Sequence, residues 1–138
     1  MRVADWPERL RVLLEQMAVT PFEWGHADCF IWAVRAACAV TGAMPGERYG
    51  APWFFQYFGR TGALRILAQH SMAEVGDQAF GNRVPPLCAQ RGDIALVPAG
   101  DGSEAFAIVD HERCLCVAVS GGLTFVPIDR AIAAWRIG

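Results

Sequence analysis

Cys29 is the residue of this chain best placed for nucleophilic chemistry. It follows the run Gly25-His26-Ala27-Asp28 and opens a segment, residues 29–42, that is apolar nearly all round with Arg35 as its one charge. Such a segment is typical of a buried central helix. At the first turn of a helix, the dipole and the unpaired backbone N–H groups favour the thiolate, which is the reactive form of cysteine. The sequence therefore places a candidate or vestigial cysteine nucleophile at the start of a buried helix.

A cysteine nucleophile needs an adjacent base, and the sequence offers few candidates. His26 precedes Cys29 by three residues and could fold back beside the thiol, and His70 could approach from a loop. We interpret Asp28 as the N-cap of the helix, because its carboxylate can accept hydrogen bonds from the first backbone N–H groups. The alternative reading of Cys29 is a small buried apolar residue without chemistry, as free cysteines usually are.

Composition limits the classes of function. The 138 residues are 54% apolar and 19% charged, with a net charge of −2 and basic residues scattered along the chain. This length predicts a single domain over residues 1–138 with a sizeable core. Because no basic cluster is present, we expect no nucleic-acid partner.

The cysteines and the N-terminus indicate a reducing compartment. The first residues lack the apolar stretch of a signal peptide, and no run reaches the roughly 18 apolar residues of a membrane span. Five cysteines without framework spacing are typical of reduced thiols. Cys114-x-Cys116 and three dispersed histidines do not have the spacing of a zinc site. We therefore expect no metal, no cofactor and synthesis in a cytoplasm.

The first half of the chain has the patterns of helices. A first helix follows Asp5 as N-cap, and the second runs from Cys29 to Thr41-Gly42. Residues 42–60 give no clear periodicity, and a third helix is predicted over about 61–71, followed by irregular chain to residue 90. The apolar face of the first helix consists of Leu10, Leu13, Leu14 and Met17.

The second half has the patterns of strands. Short β-rich runs at 94–97, 105–109, 115–119 and 123–126 are separated by turn residues and predict an antiparallel meander. Asp129 is expected to cap a short closing helix with Ile132 and Trp135 on one face. The predicted fold class is α+β, with three N-terminal helices, the central one bearing Cys29, on a four- or five-stranded antiparallel sheet.

Two motifs together resemble the NlpC-type branch of the papain-like cysteine peptidases. Asp28-Cys29 opens the central helix, and Arg91-Gly92-Asp93 leads into the first apolar strand. In that branch an Asp-Cys pair starts the central helix, and the strand after the Gly-Asp strand begins with the catalytic histidine. The resemblance thus implies a papain-like fold and a cysteine peptidase ancestry.

The histidine that the resemblance implies is missing. The strand in question reads Ala105-Phe106-Ala107-Ile108-Val109, so we expect Ala105 or Ala107 at the position of the base. The next histidine, His111, lies six residues beyond Ala105, which is about 20 Å along an extended strand. A hydrogen bond to the thiol needs about 3 Å. We therefore lean against an enzyme and towards a catalytically degenerate scaffold.

A closer resemblance is to small proteins encoded in the tail clusters of bacteriophages and prophages. It is carried by the stretches PFEWGHADCFIWAV at 21–34, AQRGDIALV at 89–97 and PIDRAIAAWRIG at 127–138. This resemblance implies a structural protein of the virion tail, near the tail tip or baseplate. The implied partners are other tail proteins, namely the hub, the distal tail protein and tail-tip components.

An aromatic cluster either belongs to the core or is the candidate surface for such contacts, because interfaces are enriched in aromatic side chains. Two other functions stay open: an active cysteine peptidase or amidase that cleaves peptidoglycan during infection, and a tail assembly factor absent from the mature virion. The cluster consists of Tyr49, Trp53, Phe54, Phe55, Tyr57 and Phe58.

Overall fold

A computed structural model describes residues 1–43, 57 and 59–138. Within these ranges the chain forms four α-helices and six β-strands. The helices are α1 (Trp6–Val19), α2 (Cys29–Thr41), α3 (Gly59–Leu67) and α4 (Met72–Phe80). The strands are β1 (Arg83–Val84), β2 (Ile94–Ala99), β3 (Ser103–Asp110), β4 (Arg113–Val117), β5 (Leu123–Pro127) and β6 (Ala133–Trp135), with single 3-10 turns at Pro86–Cys88 and Ile128–Arg130.

The strands form one antiparallel sheet in the order β1-β6-β2-β3-β4-β5. The predicted α+β class is confirmed, and the predicted meander corresponds to β2 through β5. The sheet nevertheless has six strands, so the expectation of four or five is wrong. The two additional strands, β1 and β6, hold two and three residues.

The closing helix expected after Asp129 is also wrong. Asp129 lies in a 3-10 turn, and the chain then continues as β6 between β1 and β2. Ala134 pairs with Ala95, and Trp135 pairs with Ile94 on one side and Arg83 on the other. Because Trp135 is fully buried, pairing this strand inside the sheet removes far more apolar surface from water than an exposed terminal turn would.

The first half differs from expectation at one helix. The segment after residue 71, expected to be irregular, contains α4, whose N-cap Ser71 accepts a hydrogen bond from the backbone N–H of Glu74 at 3.1 Å. The second helix begins at Cys29 and ends at Thr41 as predicted. Asp5 precedes α1 as predicted, but its carboxylate pairs with Arg9 at 3.1 Å and makes no capping bond.

Alternating side chains of the sheet build two apolar layers. Phe106 and Ile108 of β3 face the helices and belong to the main core, together with Trp32 and Trp135. The opposite face carries small side chains that form a second, thinner layer. Its buried members are Ala95, Val97, Ala107, Val109, Cys114, Cys116 and Ala134.

A buried carboxylate joins the two ends of the described chain to the sheet. Asp93 is fully buried and directly precedes β2. Its Oδ1 accepts hydrogen bonds from Arg2 at 2.8 Å and from the backbone N–H of Ile137 at 2.9 Å. Its Oδ2 accepts from the backbone N–H of Gln90 at 2.8 Å and from Arg136 at 3.1 Å. Four donors, two of them cationic, therefore compensate the desolvation of this charge.

Neutralising Asp93 should test how much this cluster stabilises the fold. In Asp93→Asn the two guanidinium groups lose their common anion. The amide N–H₂ group, itself a donor, then replaces one carboxylate oxygen that accepted hydrogen bonds. We expect a loss of about 3 kcal/mol in the free energy of unfolding, at the low end for broken buried ion pairs because Arg2 and Arg136 keep some contact with solvent. Urea unfolding measures the loss. Asp129→Asn, at an exposed carboxylate, is the control. If both changes lower the free energy of unfolding by the same small amount, the Asp93 cluster does not stabilise the fold as described.

Helix α4 is docked on β6 through a glycine. A Cβ atom at Gly76 would collide with the Cζ2 and Cη2 atoms of the Trp135 indole. One residue further, Asp77 accepts a hydrogen bond from Trp135 Nε1 at 3.0 Å and pairs with Arg83 at 2.7 Å. The Arg83 guanidinium and the indole N–H hold the pKa of Asp77 below its usual range. Only glycine permits this close approach of helix and indole.

A methyl group at Gly76 should separate α4 from β6. For Gly76→Ala we expect destabilisation of about 1 to 3 kcal/mol, the usual cost of overpacking a rigid core. Gly100→Ala is the matched control, because a Cβ atom there meets nothing within 4 Å. Thermal unfolding of the two variants measures the difference, and equal stabilities would show that Trp135 moves aside at little cost.

Candidate functional site

The N-terminus of α2 is organised by Asp28, which is 2% exposed. Its Oδ1 accepts a hydrogen bond from the backbone N–H of Ile31 at 2.9 Å, as an N-cap does. Its Oδ2 accepts from the backbone N–H of Gly25 at 2.8 Å and from the hydroxyl of Tyr57 at 2.5 Å. The interpretation of Asp28 as the helix cap agrees with this geometry. Its lone pairs are directed at three donors within the domain.

Tyr57 is the one member of the aromatic cluster that the structure describes; Tyr49, Trp53, Phe54, Phe55 and Phe58 lie outside the described residues. Its ring is partly buried, with its centroid 6.4 Å from that of Phe30. Burial and then the negative charge of Asp28 raise the pKa of Tyr57 above its usual range. The phenol therefore keeps its proton and donates a hydrogen bond to the Asp28 carboxylate. The sequence offered Tyr57 either as part of the core or as part of a partner surface, and did not predict this hydrogen bond.

Cys29 is the first residue of α2, and its thiol lies against the backbone of Phe106 in β3. Burial raises the pKa of the Cys29 thiol to about 12, and the charges of Asp28 and Cys116 act in the same direction. Hydrogen bonds from the backbone of Phe106 and Phe30 lower the pKa but are outweighed. This raised pKa argues against the expectation that the helix N-terminus makes the thiol reactive. Desolvation outweighs the two backbone hydrogen bonds that favour the thiolate.

The part of β3 that faces Cys29 also differs from expectation. Ala105 and Ala107, expected at the position of the missing base, belong to the layer on the opposite face of the sheet. Phe106 occupies the helix-facing side, with its ring centroid 5.5 Å from that of Phe30. The strand therefore presents an aromatic ring and a backbone amide to the start of α2, and no imidazole.

The three histidines lie in different places. His26 is exposed in the turn before α2, where its carbonyl oxygen accepts from Arg35 at 3.4 Å. Nδ1 of His70, which follows α3, lies 3.6 Å from Glu74 Oε2. His111 is 76% exposed at the tip of the β3–β4 hairpin. In the described part of the chain, the influences that set the pKa of Cys29 come from burial, backbone amides, a carboxylate and a thiol, and none comes from a histidine.

The described residues contain no group of three or more histidine, cysteine or acidic side chains arranged to hold a metal ion. In the same ranges, the helices are too short or too polar to cross a bilayer.

The fold and the site define an α+β domain in which a capped, cysteine-opened helix is buried against an antiparallel sheet. A family model matches residues 1–137, so the chain belongs to the family described as Domain of unknown function (DUF6950). Comparison with curated protein sequences finds no significant match. Family membership therefore identifies the domain without assigning it an activity.

The pH dependence of thiol labelling should distinguish a buried thiol from an activated one. With Cys38→Ser and Cys88→Ser introduced to remove the partly buried and exposed thiols, we expect iodoacetamide to label Cys29 slowly at pH 7. The rate should then rise about tenfold for each pH unit up to at least pH 10, because the thiolate fraction rises in that proportion below the pKa.

Mass spectrometry after timed quenching measures the labelling rates. The control variant carries Cys29→Ser and Cys38→Ser and reports the exposed Cys88. A labelling rate of Cys29 that levels off below pH 9 would contradict a raised pKa and would indicate an activated nucleophile.

Proposed function

We propose that this chain is a non-catalytic, structural domain built on an NlpC-type cysteine peptidase scaffold, and that it serves as a component of a bacteriophage tail near the tail tip. The observation that carries the non-catalytic part is the state of Cys29. Its thiol is held protonated against the backbone of Phe106, with a pKa of about 12.

Hydrolysis by a cysteine requires a thiolate and a base that later returns the proton to the leaving group. At neutral pH the thiolate fraction of Cys29 is negligible, given its raised pKa. Asp28 is the nearest carboxylate in sequence, but its oxygens accept from Ile31, Gly25 and Tyr57. Proton transfer to Asp28 would break the N-cap of the helix and the contact with Tyr57.

The same residues have a structural use that accounts for their presence. Asp28 fixes the start of α2, and the partly buried Cys29 packs against the core beside the backbone of Phe106. The ring of Phe106 then contacts Phe30 and Phe80 at centroid distances of 5.5 and 6.0 Å. The features that resemble a peptidase site therefore act here as the contact between the helix layer and the sheet.

The location in a tail is supported by the sequence resemblance of residues 21–34, 89–97 and 127–138 to proteins of phage tail clusters. A tail component must bind neighbouring proteins, and the chain has apolar side chains at its surface for such contacts. Leu87 is 75% exposed and Val119 is 70% exposed. We infer that docking to hub or distal tail proteins buries apolar surface of this kind.

A phage whose tail cluster encodes this chain allows the proposal to be tested. We expect mass spectrometry to find the chain in purified virions, and we expect Cys29→Ala phage to form plaques as efficiently as the parent phage. Cys38→Ala is the matched control, because it changes another partly buried cysteine of the same helix.

Two other outcomes would support the alternative functions. If Cys29→Ala virions contain the chain but fail to infect, while Cys38→Ala virions infect, the chain is an active peptidase. If tails require the chain but purified virions lack it, the chain is an assembly factor. Turnover of purified peptidoglycan by the isolated protein would also contradict the non-catalytic proposal.

A further inference from the structure

The two edges of the sheet are unequal. At one edge, β1 is only two residues long, and Arg83 within it is paired with Asp77. At the other edge, β5 has five residues, Leu-Thr-Phe-Val-Pro, and none of them is charged. Short strands and charges are the usual protection of a sheet edge against pairing with other chains. The β1 edge has that protection, whereas β5 has only the proline at its end.

The hydrogen-bond pattern shows which backbone groups of β5 face outwards. At one end of the β4–β5 ladder, Ala118 donates its N–H to the carbonyl of Gly122 at 3.0 Å. At the other end, Ile128 donates to the carbonyl of Glu112 at 3.0 Å. Because bonded and non-bonded pairs alternate in an antiparallel ladder, Thr124 and Val126 are the bonded residues between these ends.

The remaining residues of the strand direct their backbone groups away from β4. These groups are the N–H and C=O of Leu123 and Phe125 and the C=O of Pro127. Proline has no N–H to leave unsatisfied, so its place at the end of this edge removes one unpaired donor. The outward set comprises Leu123, Phe125 and Pro127, with Phe125 at its centre.

The side chain of Phe125 is also incompletely covered. The Arg113 guanidinium lies over one face of its ring at 4.7 Å from the centroid, yet the residue stays 57% exposed. Phe125 lies opposite Leu115, which lies opposite Ile108, so its ring is on the helix-facing side of the sheet. An open groove lined by His111, Glu112 and Pro127 adjoins the Pro127 end of β5. Because the groove is open, this end of the strand is accessible to an approaching chain.

We propose that β5 pairs antiparallel with β5 of a second copy of this chain, about a twofold axis through Phe125. In this register the two Phe125 residues exchange N–H···O=C bonds, and each Leu123 N–H donates to the Pro127 carbonyl of the other copy. All outward N–H groups of both strands are then satisfied. The two six-stranded sheets join into one continuous sheet with the helices of both copies on the same side.

Several features favour a second copy as the occupant. The outward groups of β5 are self-complementary about Phe125, and the strand has no charge that would repel its own copy. The β1 edge is too short to receive β5, so the pairing closes as a twofold dimer and does not extend into a filament. The two Phe125 side chains become direct cross-strand neighbours, an arrangement that stabilises antiparallel pairs. This inference does not depend on the proposed place in a phage tail.

Sedimentation of the full chain across about 10 µM to 1 mM tests the dimer, since one strand pair buries less than a standard interface and should associate at roughly micromolar to submillimolar Kd. We expect Phe125→Lys to weaken association by about tenfold or more, because two like charges would lie directly opposite each other. Leu87→Lys, at an exposed apolar residue outside the sheet edges, should associate as the parent does. A parent chain that stays monomeric throughout, or a Phe125→Lys chain that dimerises equally well, would overturn the proposal.

Disulfide trapping tests the register without relying on a charge that could disturb folding. In a Cys88→Ser background, Phe125→Cys should cross-link rapidly under mild oxidation, because bonded antiparallel neighbours have Cα atoms about 5.5 Å apart. Thr124→Cys should not cross-link, since the two positions 124 would be offset along the strands. Efficient cross-linking through position 124, or none through position 125, would overturn pairing about Phe125.

Discussion

The fold depends on the desolvated carboxylate of Asp93. Two arginines and two backbone amides converge on it, and they come from residues 2, 90, 136 and 137. An unpaired charge at this place would be very costly, so the complete burial of Asp93 in the folded domain depends on all four segments. Gly92, with φ of +91°, allows the chain to pass close to Trp6 and Arg2 just before the carboxylate. The Gly-Asp motif is therefore explained by packing and charge.

The Cys29 region follows the same physical rule on a smaller scale. Asp28 is buried, and three donors satisfy it, whereas the Cys29 thiol beside it has no cation to stabilise a thiolate among the influences on its pKa. A cysteine thus lies at a helix N-terminus but is surrounded by apolar groups. Position alone does not activate a cysteine, because desolvation can exceed the helix dipole.

Local signals predicted much of the fold. The apolar run after Asp28 predicted α2 with its N-cap, and the alternation of turn residues and β-branched runs predicted β2 through β5. Helix α4 was missed, although Ser71-x-x-Glu74 is a capping-box pattern that could have indicated its start. Strand β6 could not be recognised from three residues. The spacing of Ile132 and Trp135 fits a helix equally well. The segment is a strand because it pairs with β1 on one side and β2 on the other.

The candidate site was less predictable, because its properties come from tertiary contacts. The pKa of Cys29 depends on how closely Phe106 approaches, and the pleat of β3 decides whether Ala105 or Phe106 faces the helix. The hydrogen bond between Tyr57 and Asp28 joins residues 29 positions apart and leaves no local pattern in the sequence.

The position of β6 in the sheet has a consequence for the kinetics of folding. β1 reaches the sheet only through β6, and β6 joins β2 only after the chain has passed through the whole meander. Hairpin contacts between successive strands close short loops and form quickly, whereas contacts between distant segments form slowly. We therefore expect β2 to β5 to assemble early, and docking of β6 to set the overall rate.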